Sequence, residues 1–214
     1  MDNFSHSVKR FDEFAAEYAA RFMDIEMYRS LIDHFCELVP CQNPRILELA
    51  CGPGNYTHYI RQLLPESVYL ATDLAPGMLE IARKNAPGVD FRMMDMRELK
   101  LLQGPFDAIF CSFGLPFLST ADAIKLIGDC AEKLVKGGVL YISTMEGEEQ
   151  DAGFEPTSFS GKAEVYFNYH REEDLKNAFL KNDLVLESMV KQDYHDPDGT
   201  VLVDMIFIGK KDER

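Results

Sequence analysis

Apolar residues recur at helical spacing through the N-terminal part of the chain, where Phe11, Phe14, Ala15, Tyr18, Ala19, Phe22 and Ile25 alternate with acidic positions. Leu31, Ile32, Phe35 and Leu38 continue the pattern until Pro40 and Pro44 end it. From residue 45 the character changes. Short apolar runs at 45–50, 68–73, 89–95, 106–113 and 137–145 read as strands, and the amphipathic stretches at about 56–64, after Pro76 and at about 121–134 read as helices. Such alternation requires crossover connections, and their right-handedness places helices on both faces of a parallel sheet. Local signals agree: Pro76 suits a first helical position, Ser119 with Asp122 resembles a capping box, and Gly137-Gly138 would separate a helix from a strand.

The tail breaks this rhythm. A helix at about 171–181 precedes two β-like runs, 184–194 and 200–209, and the His-Asp-Pro-Asp-Gly segment between them (195–199) carries the turn chemistry of an antiparallel hairpin. Residues 146–169 begin as a polar loop and end in the aromatic, strand-like KAEVYFNYH, placed to cover a site. The 214 residues therefore read as one α/β domain, a doubly wound, mostly parallel sheet with a C-terminal antiparallel hairpin strand and N-terminal helices. Its parts are a helical cap at 1–44, a core at 45–145, a substrate lid at 146–169 and a closing helix and hairpin at 170–214.

Charge narrows the partners. Lys plus Arg against Asp plus Glu is 22 − 36 = −14, and no basic run interrupts the excess, which argues against a nucleic-acid substrate. Five scattered cysteines form no Cys-x-x-Cys pair and no zinc-ligand spacing, so they read as reduced thiols of a cytoplasmic protein, with no metal expected. Neither a signal-peptide core nor a membrane-length apolar run is present in the sequence.

In an open parallel sheet, ligands bind beyond the carboxyl ends of the strands. The first strand ends in Glu48-Leu49-Ala50-Cys51-Gly52-Pro53-Gly54, whose glycines allow a close backbone approach. The second ends in Asp73, a carboxylate able to accept both hydroxyl protons of a ribose, and the third in Asp95. A dinucleotide's pyrophosphate would meet these three carboxylates badly, and the position that would complete Gly-x-Gly-x-x-Gly is Thr57. An adenosine bearing a sulfonium and an ammonium group matches the acidic rim better.

These segments resemble the class I S-adenosylmethionine-dependent methyltransferases of the small-molecule, methyltransferase-domain type. LELACGPGNYT (47–57) is similar to the family's first motif, ATDLAPGML around Asp73 to its second, and MMDMREL around Asp95-Met96 to its adenine-contacting step. FDAIFCSFGLPFL (106–118) and LVKGGVLYIS (134–143) resemble its fourth and fifth strands, and the closing hairpin its reversed last strand. The resemblance implies a Rossmann-like sheet of seven strands and S-adenosyl-L-methionine as cofactor. It further implies that Ala50, Gly52 and Gly54 pass backbone along the methionine part, with Glu48 near the ammonium end. Asp73 would bind the ribose, Leu74 would pack on the adenine, Asp95 and Met96 would hold its edge, and Tyr18 would close over the cofactor carboxylate. Cys111 would line the pocket near the sulfonium. Ala50 stands where many relatives carry the first of three alternating glycines.

Methyl transfer from a sulfonium needs mainly positioning and dryness. An acceptor that must lose a proton also needs a base, for which Tyr169 and His170 are the candidates. The implied function is methylation of a small-molecule acceptor. The alternatives are a non-catalytic S-adenosylmethionine-binding module and, more remotely, a nicotinamide-dependent dehydrogenase.

Overall fold

Five strands pair in parallel, and the central ones, Arg-Ile-Leu-Glu-Leu and Phe-Asp-Ala-Ile-Phe-Cys-Ser, are buried on both sides, as a two-sided α/β sheet requires. The computed structural model describes residues 2–161, 163–196 and 199–213. The parallel strands are β1 (Arg45–Leu49), β2 (Val68–Asp73), β3 (Asp90–Met93), β4 (Phe106–Ser112) and β5 (Leu134–Met145). A two-stranded sheet, β6 (Gly153–Pro156) with β7 (Glu164–Phe167), stands apart from them. The last strands, β8 (Leu184–His195) and β9 (Val201–Lys211), complete a seven-stranded sheet of order β3-β2-β1-β4-β5-β9-β8, in which β9 runs antiparallel to both neighbours.

Helices α3 (Arg29–Leu38), α4 (Asn55–Leu63) and α5 (Pro76–Asn85) cover one face, and α6 (Thr120–Lys133) and α7 (Glu172–Lys181) the other. Ile46, Phe110, Tyr141 and Ile208 pack toward Phe35 of α3 and Ile60 of α4, with the Phe110 and Tyr141 rings stacked at 4.2 Å. Leu47, Leu49, Ile109, Leu140 and Phe207 pack toward Leu126 and Ile127 of α6 and Phe179 of α7. Each such side chain contributes about 1.5–3 kcal/mol by leaving water, which secures the frame on which the loops at the strand ends are mounted.

The start signals lie where the sequence places them. Pro76 opens α5, and the Ser119 side chain accepts the Asp122 N–H at 3.2 Å to cap α6. Other expectations need correction. The N-terminal helical run is divided into α1 (Asn3–Glu13) and α2 (Ala15–Phe22), because Phe14 leaves helical geometry at φ −113°, ψ 27°. The third strand is confined to four residues; Met94 donates its N–H to Asp73 O and Asp95 turns away to cap a short 3-10 segment. Gly137-Gly138 lies inside β5, which begins at Leu134 directly after α6. Of the 195–199 turn, Pro197 and Asp198 lie outside the described residues, while Gly199 at φ 92° donates to Asp196 O. No helix among the described residues is long and apolar enough to cross a membrane.

The β6–β7 pair is bound to α1. Ser7 of α1, 1% exposed, donates its hydroxyl to Tyr166 O at 3.3 Å and accepts the Tyr166 N–H at 3.1 Å. His6 donates from Nε2 to Glu164 O at 3.2 Å. A third tie runs from α1 to the core, where the Asp12 carboxylate accepts the Gly77 N–H at 2.6 Å at the start of α5.

Candidate functional site

After β3 the chain returns across the sheet so that β4 pairs with the free side of β1, and strand order reverses between them. The backbone leaving β1 bends through Ala50 (φ 51°), Gly52 (φ 53°) and Gly54 (φ 79°). A Cβ on Gly54 would stand 3.1 Å from Ala82 Cα, so this glycine serves the approach of α5; Gly52 instead fronts an open slot beneath the Tyr18 ring.

The slot, about 90 Å³, runs over the bend between the sheet edge and α1. Of the residues expected to bind a cofactor, Tyr18, Ala50, Gly52, Asp73, Leu74 and Met96 line it, together with Met78, Met94 and the α1 side chains Phe4, Val8 and Phe11. Asp73 is fixed by two backbone amides, Gly52 N–H to Oδ2 and Ala75 N–H to Oδ1, each at 2.9 Å. Each oxygen retains a further lone pair, so the carboxylate is held in place and still able to accept two hydroxyls. Burial pushes its pKa up, against the opposing pull of those amides.

Glu48, Gly54, Asp95 and Cys111 are not among the lining residues. Glu48 points beneath the bend, 1% exposed; its Oε2 accepts Thr57 Oγ1 at 2.6 Å and Tyr69 Oη at 2.8 Å, and its buried Oε1 has no partner. Burial pushes its pKa up to about 7, despite both hydroxyl donors. Asp95 is gripped by its neighbour Arg97, whose Nη2 lies 2.6 Å from Oδ2, and the same guanidinium stacks 3.8 Å over the Phe4 ring. Cys111 is fully buried in the α6 face of the core, where burial pushes its thiol up to about 12. The expected rim of three carboxylates thus reduces to Asp73 at the slot itself.

A second cavity, about 400 Å³, adjoins the first. Phe11, Tyr18, Ser112, Phe113 and Phe117 line both and form the partition. Phe113 is held at φ 51° by donating its N–H to Ser143 O at 3.1 Å and to Ser143 Oγ at 3.0 Å. The remaining walls come chiefly from α2, the turn before α3, the start of α4, β6 and the β8–β9 hairpin, and include Arg21, Tyr28, Tyr56, Glu155 and Asp204. Asp204, 3% exposed, accepts the Tyr28 hydroxyl at 2.6 Å; burial pushes its pKa up to about 6, with that hydrogen bond opposing.

Tyr169 and His170 stand behind this cavity. The Tyr169 hydroxyl donates to Glu155 Oε1 at 2.7 Å, and His170, fully buried, donates from Nε2 to Leu115 O at 2.9 Å. His170 Nδ1 is buried without a partner, and desolvation lowers the imidazole pKa. Sequence reasoning passed over Asp204 and Tyr28. The signal was available: Val-Leu-Val-Asp-Met-Ile-Phe-Ile is a strand with one carboxylate among apolar neighbours, and a buried carboxylate needs a partner.

Comparison with known proteins agrees with this geometry. Residues 46–138 match the family described as a methyltransferase domain. The trans-aconitate 2-methyltransferase of Methylobacterium nodulans is 32% identical over 136 residues, 64% of this chain and 51% of the relative. The demethylmenaquinone methyltransferase of Thermus thermophilus is 33% identical over 123 residues, 56% of this chain and 54% of the relative. The chain thus matches about half the length of these curated relatives. The magnesium protoporphyrin IX methyltransferase of Synechocystis, solved with bound S-adenosylmethionine, shares the fold at a TM-score of 0.69 and 12% identity, covering 99% of this chain and 98% of that one.

Proposed function

We propose that this chain, whose residues 46–138 match the methyltransferase-domain family and whose fold is that of the class I S-adenosylmethionine-dependent enzymes, transfers a methyl group from S-adenosylmethionine to a small molecule. The observation that carries the reading is the Asp73 carboxylate, immobilised by two amides at the mouth of a slot that also presents a glycine bend. The donor set suits the cofactor: Asp73 for a vicinal diol, Leu74, Met94 and Met96 for a flat base, and the Ala50–Gly52 backbone beneath Tyr18 for an amino-acid tail. When bound, S-adenosylmethionine supplies a methyl carbon already activated by its sulfonium. The protein's part is then to align the acceptor and keep water out, to which the shared five-residue wall and the aromatic lining of the second cavity are suited.

In the same reading the chain divides into a helical cap at 1–44, a binding core at 45–145, a lid at 146–169 and a closing helix and hairpin at 170–214. The ties from Ser7 to Tyr166 and from His6 to Glu164 support treating cap and lid as one cover. The non-catalytic alternative draws on the placement of Tyr169 and His170 outside the cavity, and a label assay discriminates the two. With methyl-labelled cofactor and a metabolite extract, label is expected in a small molecule; saturable calorimetric binding without label transfer would favour the module. Absence of binding to both S-adenosylmethionine and S-adenosylhomocysteine would reject the reading.

A further inference from the structure

The acceptor cavity has a chemical bias of its own. Five carboxylates, Asp24, Glu26, Glu155, Asp196 and Asp204, face it against one cation, Arg21. Arg21 is committed to Asp196 Oδ1 at 3.5 Å and the Tyr194 hydroxyl at 3.4 Å, and Glu26 pairs with Arg29 at 3.1 Å. Asp24, Glu155 and Asp204 have no ion pair among the described residues; Glu155 and Asp204 accept tyrosine hydroxyls and Asp24 a backbone amide. Between these charges the walls are aromatic. The Tyr28 ring, whose hydroxyl holds Asp204, lies 5.4 Å from Phe113, which belongs to the partition with the cofactor slot. Asp204 is therefore one tyrosine away from the place where methyl transfer would occur.

Carboxylates beside aromatic rings attract a cation twice, through charge and through the ring quadrupole, and repel an anion. Resting on the methyltransferase reading above, we propose that the acceptor is an amine with an apolar or aromatic body, and that Asp204 is the residue that receives its nitrogen. In the step, the bound ammonium first gives one proton to the Asp204 carboxylate, and the nitrogen lone pair so freed forms the new N–C bond as the C–S bond breaks, its electron pair staying on sulfur to leave a neutral thioether. Asp204 passes that proton to solvent, and the product leaves as an N-methylammonium. A di- or tricarboxylate acceptor finds no free cation among the described residues of this wall.

The test is a binding panel read without turnover. Phenethylamine, N-methylphenethylamine, 2-phenylethanol and 3-phenylpropionate are titrated by calorimetry into the full chain, alone and with saturating S-adenosylhomocysteine. At least one amine is expected to bind tenfold or more tightly than the alcohol, with no saturable binding of the carboxylate. Asp204→Asn is expected to abolish the amine preference while leaving 2-phenylethanol affinity within about twofold. Should that variant melt early, the Asp24→Asn, Glu155→Gln double variant on the more accessible wall keeps the question open to refutation, with a fall in amine preference of threefold or more expected. Equal binding of alcohol and amine, tighter binding of the carboxylate, failure of every amine to bind, or an unchanged amine preference in both variants would each overturn the proposal. A parallel titration separates the premises. Cofactor binding without amine preference rejects the acceptor class alone, whereas amine preference without cofactor binding rejects the methyltransferase reading.

Discussion

Asp73 and Glu48 show how differently strand-end acids of two neighbouring strands can be used. Asp73 is fixed by backbone amides and keeps lone pairs toward the slot, so Asp73→Ala should weaken S-adenosylhomocysteine binding by about 1–3 kcal/mol in calorimetry, the scale of lost hydrogen bonds to a charged group. Glu48 belongs to the folding balance. Its carboxyl is raised to about 7 from an ordinary 4.5, so the folded chain holds a proton that the unfolded chain releases across that interval. Stability present at low pH is thus lost as pH climbs toward 7, and Asp204, raised to about 6, adds to the same slope. The melting temperature should fall from about pH 5 to about pH 8, and Glu48→Gln should flatten part of that fall. Ala50 pays for its left-handed φ of 51°, a conformation that costs a non-glycine residue about 1 kcal/mol or more. Ala50→Gly, after the greater freedom of the unfolded glycine is subtracted, should raise stability by up to about 1 kcal/mol in chemical denaturation. At this scale the sequence discloses which residue types gather at the strand ends, but not which way each points. Asp73 and Glu48 are equally acidic and equally well placed in it, and only the hydroxyls of Thr57 and Tyr69 draw one of them below.

Elements were legible wherever the chain carries its own punctuation. Pro76 and Ser119 announce α5 and α6, and Asp-Pro-Asp-Gly announces the β8–β9 hairpin, because each satisfies or removes a backbone donor locally. The β6–β7 pair was legible only in its aromatic half. Gly-Phe-Glu-Pro is too short and too rich in breakers to read as a strand, and its pairing is decided by α1 rather than by its own pattern. The break at Phe14 was likewise hidden, since the apolar spacing runs through it. At the α1–α5 junction a Cβ on Gly77 would lie 2.8 Å from Asp12 O, so the two helices meet with no space between. Gly77→Ala should displace α1 and weaken S-adenosylhomocysteine binding about tenfold in calorimetry, while circular dichroism retains the sheet and helix content, because the slot depends on α1 and the core does not.

For the molecule as a whole, the frame and the cover are separate in their energetics. The two packed faces consist of buried aliphatic and aromatic side chains, whereas β6–β7 is held to α1 by hydrogen bonds from Ser7 and His6, and α1 to the frame by Asp12 and by Val8 and Phe11 packed on a small cluster with Ala75 and Met78. Backbone amides of α1 and of β6–β7 should therefore exchange hydrogen faster than those of β1 and β4. Addition of S-adenosylhomocysteine should slow both cover elements together, as hydrogen-exchange mass spectrometry can read; protection of one without the other would show that the Ser7 link does not couple them. The doubly wound sheet is legible in the sequence because alternation with right-handed crossovers demands it, and the slot lies where strand order reverses between β1 and β4. The second cavity draws on α2, the turn before α3, α4, β6 and the β8–β9 hairpin, remote in sequence and joined only by the completed fold.

The partition of Phe11, Tyr18, Ser112, Phe113 and Phe117 is thin enough that both chambers share the same side chains. On the proposed function, two ligands resting against opposite sides of this septum would meet the same five side chains, so filling one chamber is expected to alter affinity in the other. An inhibitor fitted to one chamber is then expected to change its apparent potency with the filling of the other.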